Sequence, residues 1–290
     1  MHKRVKRGRK SFFTPEGKVA LAFLKMYTGL SAPKLMEALN GNIHYQIFCG
    51  IRISPENQLT NYKLIDGILL ELSRKMKVQE QQKVLADAWK PYMKNLDTVY
   101  TDASCYESLM RFPTDVKLLW ECTVRAYKIV RGKENKTVEF GAKCNNILID
   151  GISFIEKVSF NAFHEGTRLR HCISLAQKLT GVPVKKVGGD QGYSGNDNRT
   201  FCKYNNIETS FTQKGKAGTD EVKNAIKREL ARVRATAMEG SFGTQKEHYG
   251  LRKIAARIKS TEIMLIFFGI HTANVVNLAR RESIQFPLTA

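Results

Sequence analysis

Apolar residues recur at helical spacing from Thr14 to about Asn95, then change at Leu96 to short alternating runs separated by glycine and proline. In the first stretch Thr14-Pro15-Glu16 predicts a helix start, with Thr14 as the cap and Pro15 in the first turn. Val19, Leu21, Ala22, Phe23 and Met26 supply its apolar face. Gly29-Leu30-Ser31 breaks it, Ser31 caps a second helix from Pro33 to Leu39, and Asn40-Gly41-Asn42 turns the chain into Tyr45-Gln46-Ile47-Phe48. Further helices are expected from Asn57 to Arg74 and from Gln79 to Met93. Short helices joined by tight turns predict an all-α, helix-turn-helix-like DNA-binding domain over 14–95. A helical packing domain without DNA contact is the alternative.

The second stretch reads as strands first. Asp97 to Asp102, Thr137 to Lys143 and Ile152 to Phe160 are expected strands, with Asp150-Gly151 as a hairpin turn before the third. A helix follows from Thr167 to Leu179, closed by Gly181 and Pro183. A fourth strand ends at Asp190, a short helix spans Asn196 to Tyr204, Ile207 to Phe211 is a fifth strand, and helical sequence dominates to about Arg281. Within it Val222, Ile226, Leu230, Val233 and Ala237 predict one buried face. Arg232, Glu239 and Lys246, seven apart, predict a second, charged one. A three-stranded meander followed by alternating helices and strands is an α/β layout over 96–290.

Charge alters this picture more than composition does. Lys and Arg number 47 against 27 Asp and Glu, a formal net charge of +20 over 290 residues. Such an excess favours a polyanion, because each neutralised phosphate releases condensed counterions. Residues 1–13 form a basic arm in which Lys3, Arg4, Lys6 and Arg7 are candidate phosphate contacts, with a solvated tail as the alternative. The six cysteines are scattered singly without zinc-site spacing, which predicts reduced thiols. No signal-peptide pattern opens the chain, and the longest apolar run, Ile263 to Ile270, is far short of the ~20 residues that span a bilayer. The expectation is a soluble cytoplasmic protein with no membrane partner.

Three acidic residues stand in frames that suit chemistry on nucleic acid. Asp102 ends an apolar strand-like run and is followed by the small pair Ala103-Ser104, and Asp190 ends another in Gly188-Gly189-Asp190-Gln191-Gly192-Tyr193. Glu239 lies on the later helix between Arg232 and Lys246. Two carboxylates at strand ends and one on a following helix are able to meet at a sheet edge. Mg²⁺ takes one or two carboxylates per ion and leaves positions for water and phosphate. Two ions about 4 Å apart activate a water or 3′-hydroxyl and stabilise the departing oxygen, while flanking cations offset transition-state charge.

At these residues the chain resembles the DDE transposases of bacterial insertion sequences, of the InsH type in the IS-five group. Tyr100-Thr101-Asp102-Ala103, Gly189-Asp190-Gln191-Gly192-Tyr193 and Glu239-Gly240-Ser241-Phe242-Gly243-Thr244-Gln245-Lys246 carry the likeness, the last as an E-x6-K element. Gly17 to Ile53 resembles the N-terminal domain of the same proteins. The resemblance implies an RNase H-like mixed sheet flanked by helices, with Asp102, Asp190 and Glu239 as a catalytic triad binding two Mg²⁺ or Mn²⁺ ions. It implies cut-and-paste cleavage and strand transfer at terminal inverted repeats into target DNA, by a homodimer in the DNA complex of a bacterial cell. Lys246, with Arg232 and Arg234, would contact transposon-end DNA, and Tyr193 would orient or pack. The related signature has an Arg four residues before the Glu, where Ala235 stands with Arg234 one residue off, and a Tyr where Arg232 stands. The connection from Trp120 to Val130, before Arg131-Gly132-Lys133, is also shorter than in such transposases. A decayed or domesticated copy that binds DNA without chemistry, and a nuclease without strand transfer, are the competing readings.

Overall fold

The computed structural model describes residues 11–109, 119, 122–123, 141–212 and 220–285. The calls on Lys3, Arg4, Lys6 and Arg7, and on the connection from Trp120 through Lys133 apart from residues 122–123, lie outside them, as does the start of the expected second strand. The chain divides into two compact units, Met1–Met76 and Lys77–Ala290.

Among the described residues the first unit has helices and no strands. Thr14 caps α1 (Pro15–Thr28) through a hydroxyl that accepts from the Gly17 N–H at 3.0 Å, and Gly29 ends it in the left-handed region at φ 63°. Asn42 ends α2 (Ala32–Gly41) and caps α3 (Ile43–Phe48), accepting from the His44 and Tyr45 N–H groups. The last helix, α4 (Lys63–Lys75), starts six residues later than its apolar pattern suggested. The preceding segment is held instead by Asn40, whose side chain donates to the Leu59 carbonyl and accepts from its N–H. Leu21, Leu24, Leu35, Leu39, Ile65 and Leu69 are buried as its core.

The unit boundary falls at 76/77 rather than 95/96. Helix α5 (Val78–Trp89), which reads in sequence as part of the helical bundle, belongs to the second unit. Its fully buried Gln82 explains why. The side-chain amide donates to the Ile155 carbonyl at 2.9 Å and accepts from the Ile155 N–H at 2.5 Å, completing the outer edge of strand β3 (Ile152–Ser159). Gln82→Leu strands both backbone groups, each costing about 1–3 kcal/mol when buried without a partner. The expected loss of about 2–5 kcal/mol is to be read from urea unfolding of the full chain.

The second unit is built on a six-stranded mixed sheet. β1 (Thr98–Ser108), β2 (Gly141–Ile149) and β3 form the antiparallel meander, turned by Asp150 and Gly151 at φ 48° and 76°. β4 (Lys186–Gly188) runs parallel to β1, and β5 (Glu208–Thr209) parallel to β4. The order β3-β2-β1-β4-β5 makes the sheet RNase H-like, and β6 (Lys253–Ile254) adds to the far end of β1. β1 runs six residues beyond its expected end, because β2 pairs with it through Glu107 and β6 through Ser108. Asp102 therefore lies in mid-strand, not at a strand end.

One face of the sheet carries α6 (Leu169–Thr180), ended by Gly181 at φ 74°, with α7 (Asn196–Tyr204) near the β4–β5 edge. On the other side run α8 (Glu221–Val233), a π turn (Arg234–Met238) and α9 (Glu239–His248) as one helix. The face predicted there as buried is only partly so. Leu230 is buried, but Val222 is 69% exposed, and Ile226, Leu230, Val233 and Ala237 line a cleft of about 860 Å³ with Tyr100.

Among the described residues, α10 (Lys259–Gln285) is by length and composition apolar enough between Lys259 and Glu282 to cross a membrane. Its Met264, Ile266, Phe267, Phe268 and Ile270 are buried within this unit, as befits a core helix. His271 of α10 is fully buried, with ring centroids of Phe267, Trp89 and Phe154 at 4.4, 5.5 and 6.1 Å. Its Nδ1 meets the Asn274 amide at 3.1 Å, while Nε2 is buried without a hydrogen-bond partner among the described residues. Burial holds its pKa down to about 3. The unfolded chain, titrating near 6.5, takes up a proton that the folded chain refuses, so stability falls as pH drops from about 6.5 toward 3. Between pH 6.5 and 4.5 this contributes a loss of about 2–3 kcal/mol. His271→Phe should flatten that part of a stability-versus-pH curve; an unchanged slope would remove His271 as its source.

Candidate active site

β1 is the middle strand of this arrangement, and its side chains alternate between the two helical layers. Thr101 points toward α6, where its hydroxyl meets Cys172 and Tyr193, each at 3.3 Å. Asp102 points the other way, toward the π turn. There Arg234 donates through Nη2 to Asp102 Oδ2, with only 17% of the Asp102 side chain and 19% of the Arg234 side chain exposed. Asp102 Oδ1 accepts from the Ala103 N–H at 2.9 Å. Burial pushes the Asp102 carboxyl above its ordinary range; Arg234 and the Ala103 N–H oppose the rise, and the negative charges of Asp190 and Glu165 add to it.

That coupling joins residues from three places in the chain. Asp190 follows β4, which pairs with β1 through Tyr100 and Gly188, and Asp190 Oδ1 accepts from the Gly192 N–H at 2.9 Å. Glu165 opens the short 3₁₀ turn Glu165–Arg168 after β3. Its Oε2 is bound by Lys143 of β2, and it is three-quarters buried. Burial raises its pKa, but the hydrogen bond and charge of Lys143 outweigh this and leave it below the usual carboxylate value. The Glu165 turn and the Asp190 loop pack backbone to backbone. A Cβ on Gly166 would come within 2.1 Å of the Gly192 carbonyl oxygen. A Cβ on Gly192 would lie 3.0 Å from Asp190 Oδ1 and 3.5 Å from Glu165 Oε1, so both carboxylates pack against this glycine.

Glu239 is placed differently. It is exposed at the first position of α9. Among the described residues no group of three or more His, Cys, Asp and Glu side chains is arranged to hold a metal ion. The fold sets Asp102 on β1 and Asp190 just past the neighbouring parallel strand β4, but does not gather the three predicted carboxylates into one ion-binding group. Arg232 pairs with Glu229 at 2.7 Å instead of sharing a face with Glu239, since the intervening π turn breaks the seven-residue alignment. Lys246 lies 6.0 Å above the Tyr106 ring. Arg234, which by count is one residue from the position four before Glu239, gains from the same turn. Residues five apart in an i→i+5 turn stack much as residues four apart do in an α-helix.

Beneath the carboxylates runs a buried polar network that the sequence reading missed. Asn145 and Asn146 of β2 lie opposite Ala103 and Asp102 and are fully buried. A β-bulge against β3 sits at this pair. Asn145 accepts from the Tyr193 hydroxyl at 2.6 Å and donates to Glu156, which is salt-bridged to Arg168. Asn146 donates to the Tyr106 hydroxyl at 3.3 Å, and Tyr106 donates to Gln245 of α9 at 2.6 Å. Tyr193 thus orients the Asp190 loop through Asn145, while Tyr106 fixes the helix that carries Glu239. Two adjacent asparagines in a strand with apolar neighbours Ile147, Leu148 and Ile149 were the available signal.

Residues 187–279 match the family described as the transposase DDE domain. The match covers about a third of the chain. The matched stretch contains Asp190 and Glu239 and ends before the close of α10; Asp102 lies outside it. No curated protein matches the chain. Among solved structures, a pre-cleavage Mos1 transpososome aligns with 93% of this chain and 98% of that one, at 10% identity and a TM-score of 0.22. That score is too low to bear on either fold or function. The likeness to a DDE domain thus belongs to residues 187–279 and stands on the sequence match, and the RNase H-like sheet on its strand order.

Proposed function

We propose that this protein is a DDE transposase that binds the terminal inverted repeats of its element and catalyses cation-dependent DNA cleavage and strand transfer by a cut-and-paste route. The observation that supports this best is the placing of Asp102 on the middle strand beside parallel β4, just past which Asp190 of the matched segment follows, with the charge of Asp190 felt at Asp102. Hard carboxylate oxygens at a partly buried, mutually repelling pair fit Mg²⁺ or Mn²⁺. Asp102 and Asp190 would hold it, with Glu239 as the third carboxylate that two-ion chemistry calls for. Such a cation would activate a water, then a 3′-hydroxyl, and stabilise the departing oxygen. Arg234 would pass from Asp102 to a substrate phosphate, and Lys246, Arg232 and the basic arm would hold the transposon end. A dimer would bring two ends together.

The test uses the purified full chain, a duplex bearing its own inverted repeat, and a target plasmid. Mg²⁺-dependent nicking at the repeat boundary followed by joined products is expected; absence of nicking overturns the reading. Nicking without joining would favour a nuclease. A second reading, a DNA-binding copy without chemistry, draws on Arg234 occupying Asp102 and on the exposed Glu239. It predicts repeat-specific binding with no nicking in either Mg²⁺ or Mn²⁺.

A further inference from the structure

We propose that Gln245 is a positioning residue for the reaction: it sets the rotation of α9 about its own axis, and through that rotation the place of the Glu239 carboxylate. The inference rests on the transposase reading above and adds a residue outside the three carboxylates and the cations beside them. Gln245 is fully buried, yet every polar atom of its side chain is used. Its Oε1 accepts from the Tyr106 hydroxyl of β1 at 2.6 Å. Its Nε2 donates to Ser153 Oγ of β3 at 3.2 Å and to Ser241 Oγ of α9 at 2.9 Å. The two serine hydroxyls share a hydrogen bond at 2.7 Å, and the Ser153 backbone is held at both its N–H and its carbonyl by Asn274 of α10. Apolar partners of the same shape would hold these layers together about as well. What the hydrogen bonds add is direction, since they weaken steeply when their angles change.

Direction matters because of where the same helix is held elsewhere. Asp102 and Tyr106, four apart on β1, share one face of the strand about 13 Å from each other. Arg234 is bonded to the first and Gln245 to the second, with about 16 Å of helix between them. The helix therefore lies along β1 with an attachment at each end, and Glu239 falls between the two. In the proposed reaction Arg234 leaves Asp102 for a substrate phosphate, which releases the first attachment. The second, at Gln245, stays and keeps α9 from turning. At a helix radius of about 5–6 Å a rotation of about 20° moves a side-chain tip by about 2 Å. A misplacement of about 1 Å is enough to cost about a hundredfold in rate.

The experiment measures single-turnover nicking of a duplex bearing the inverted repeat by the full chain, at saturating DNA and over a range of Mg²⁺ concentrations. The proteins compared are the wild type, Gln245→Met and Tyr106→Phe. Gln245→Met keeps the length of the side chain without its three hydrogen bonds. It should bind the repeat within about twofold of the wild type in gel shifts, nick about 30- to 100-fold more slowly, and need about tenfold more Mg²⁺ for half its maximal rate, because one carboxylate is out of place. Tyr106→Phe removes one of the three bonds and should shift the Mg²⁺ requirement the same way, by less. An unchanged rate in Gln245→Met overturns the proposal. So does a rate lowered by the same factor at every Mg²⁺ concentration, which would make Gln245 a structural residue only. If Gln245→Met does not fold, Tyr106→Phe decides by the same two readouts. Absence of nicking by the wild type overturns the underlying reading and this role with it, whereas wild-type nicking beside an unaltered Mg²⁺ requirement in both variants overturns only the role of Gln245.

Discussion

Asp190→Asn should abolish Mg²⁺-dependent nicking, by about 10³-fold or more, while leaving the protein as stable as before and still able to bind its repeat. The expectation of unchanged stability comes from the contact that Asp190 makes. Its Oδ1 accepts only a backbone N–H from Gly192 among the described hydrogen bonds, and an asparagine oxygen serves equally well. Asp102→Asn should show a different pairing of effects. It loses nicking to a similar degree, but it also leaves the largely buried Arg234 guanidinium without its anionic partner, whose removal from a buried pair costs about 3–5 kcal/mol. Partial exposure of both groups brings the expected loss toward the lower end of that range. Nicking assays, thermal melts and gel-shift titrations on the same preparations separate the effects. An Asp190→Asn protein that still nicks at a tenth of the wild-type rate would remove Asp190 from the chemistry.

Gly166→Ala should be among the most damaging small substitutions in the protein. The added methyl would come within 2.1 Å of the Gly192 carbonyl oxygen and 2.7 Å of the His164 ring. The ring is able to turn, but the carbonyl belongs to a loop tied at Asp190, Tyr193 and Asn198. The two turns must separate, and the overpacking strain is expected to cost about 1–3 kcal/mol or more. Because the turns carry Glu165 and Asp190, nicking should fall further than the stability loss alone explains. The measurement is kcat for nicking at a temperature where Gly166→Ala is fully folded by circular dichroism. Full kcat there would show that the loops tolerate separation.

Much of the fold was legible because its signals are local. Thr14 with Pro15, Asp150-Gly151 and Gly181 each dictate a backbone conformation that only a few residue types adopt, so the helix start, the hairpin and the helix stop fall where sequence places them. The misses are all relational. The length of β1 depends on what pairs with it, and the apolar pattern weakens after Asp102 because α9 and β6 cover that end with Gln245 and Ile254. The assignment of α5 depended on Gln82, a polar residue whose partner is 73 positions away. At the site, Asp102 and Asp190 stood out through their small and glycine neighbours.

The π turn at Arg234–Met238 has a consequence for how such sites are recognised at all. A motif with a fixed gap counts residues, whereas a substrate meets angles. An extra residue absorbed in one wide turn changes the count and preserves the angle. A chain can therefore depart by one position from a family's spelling and still turn the same side chain toward the same groove.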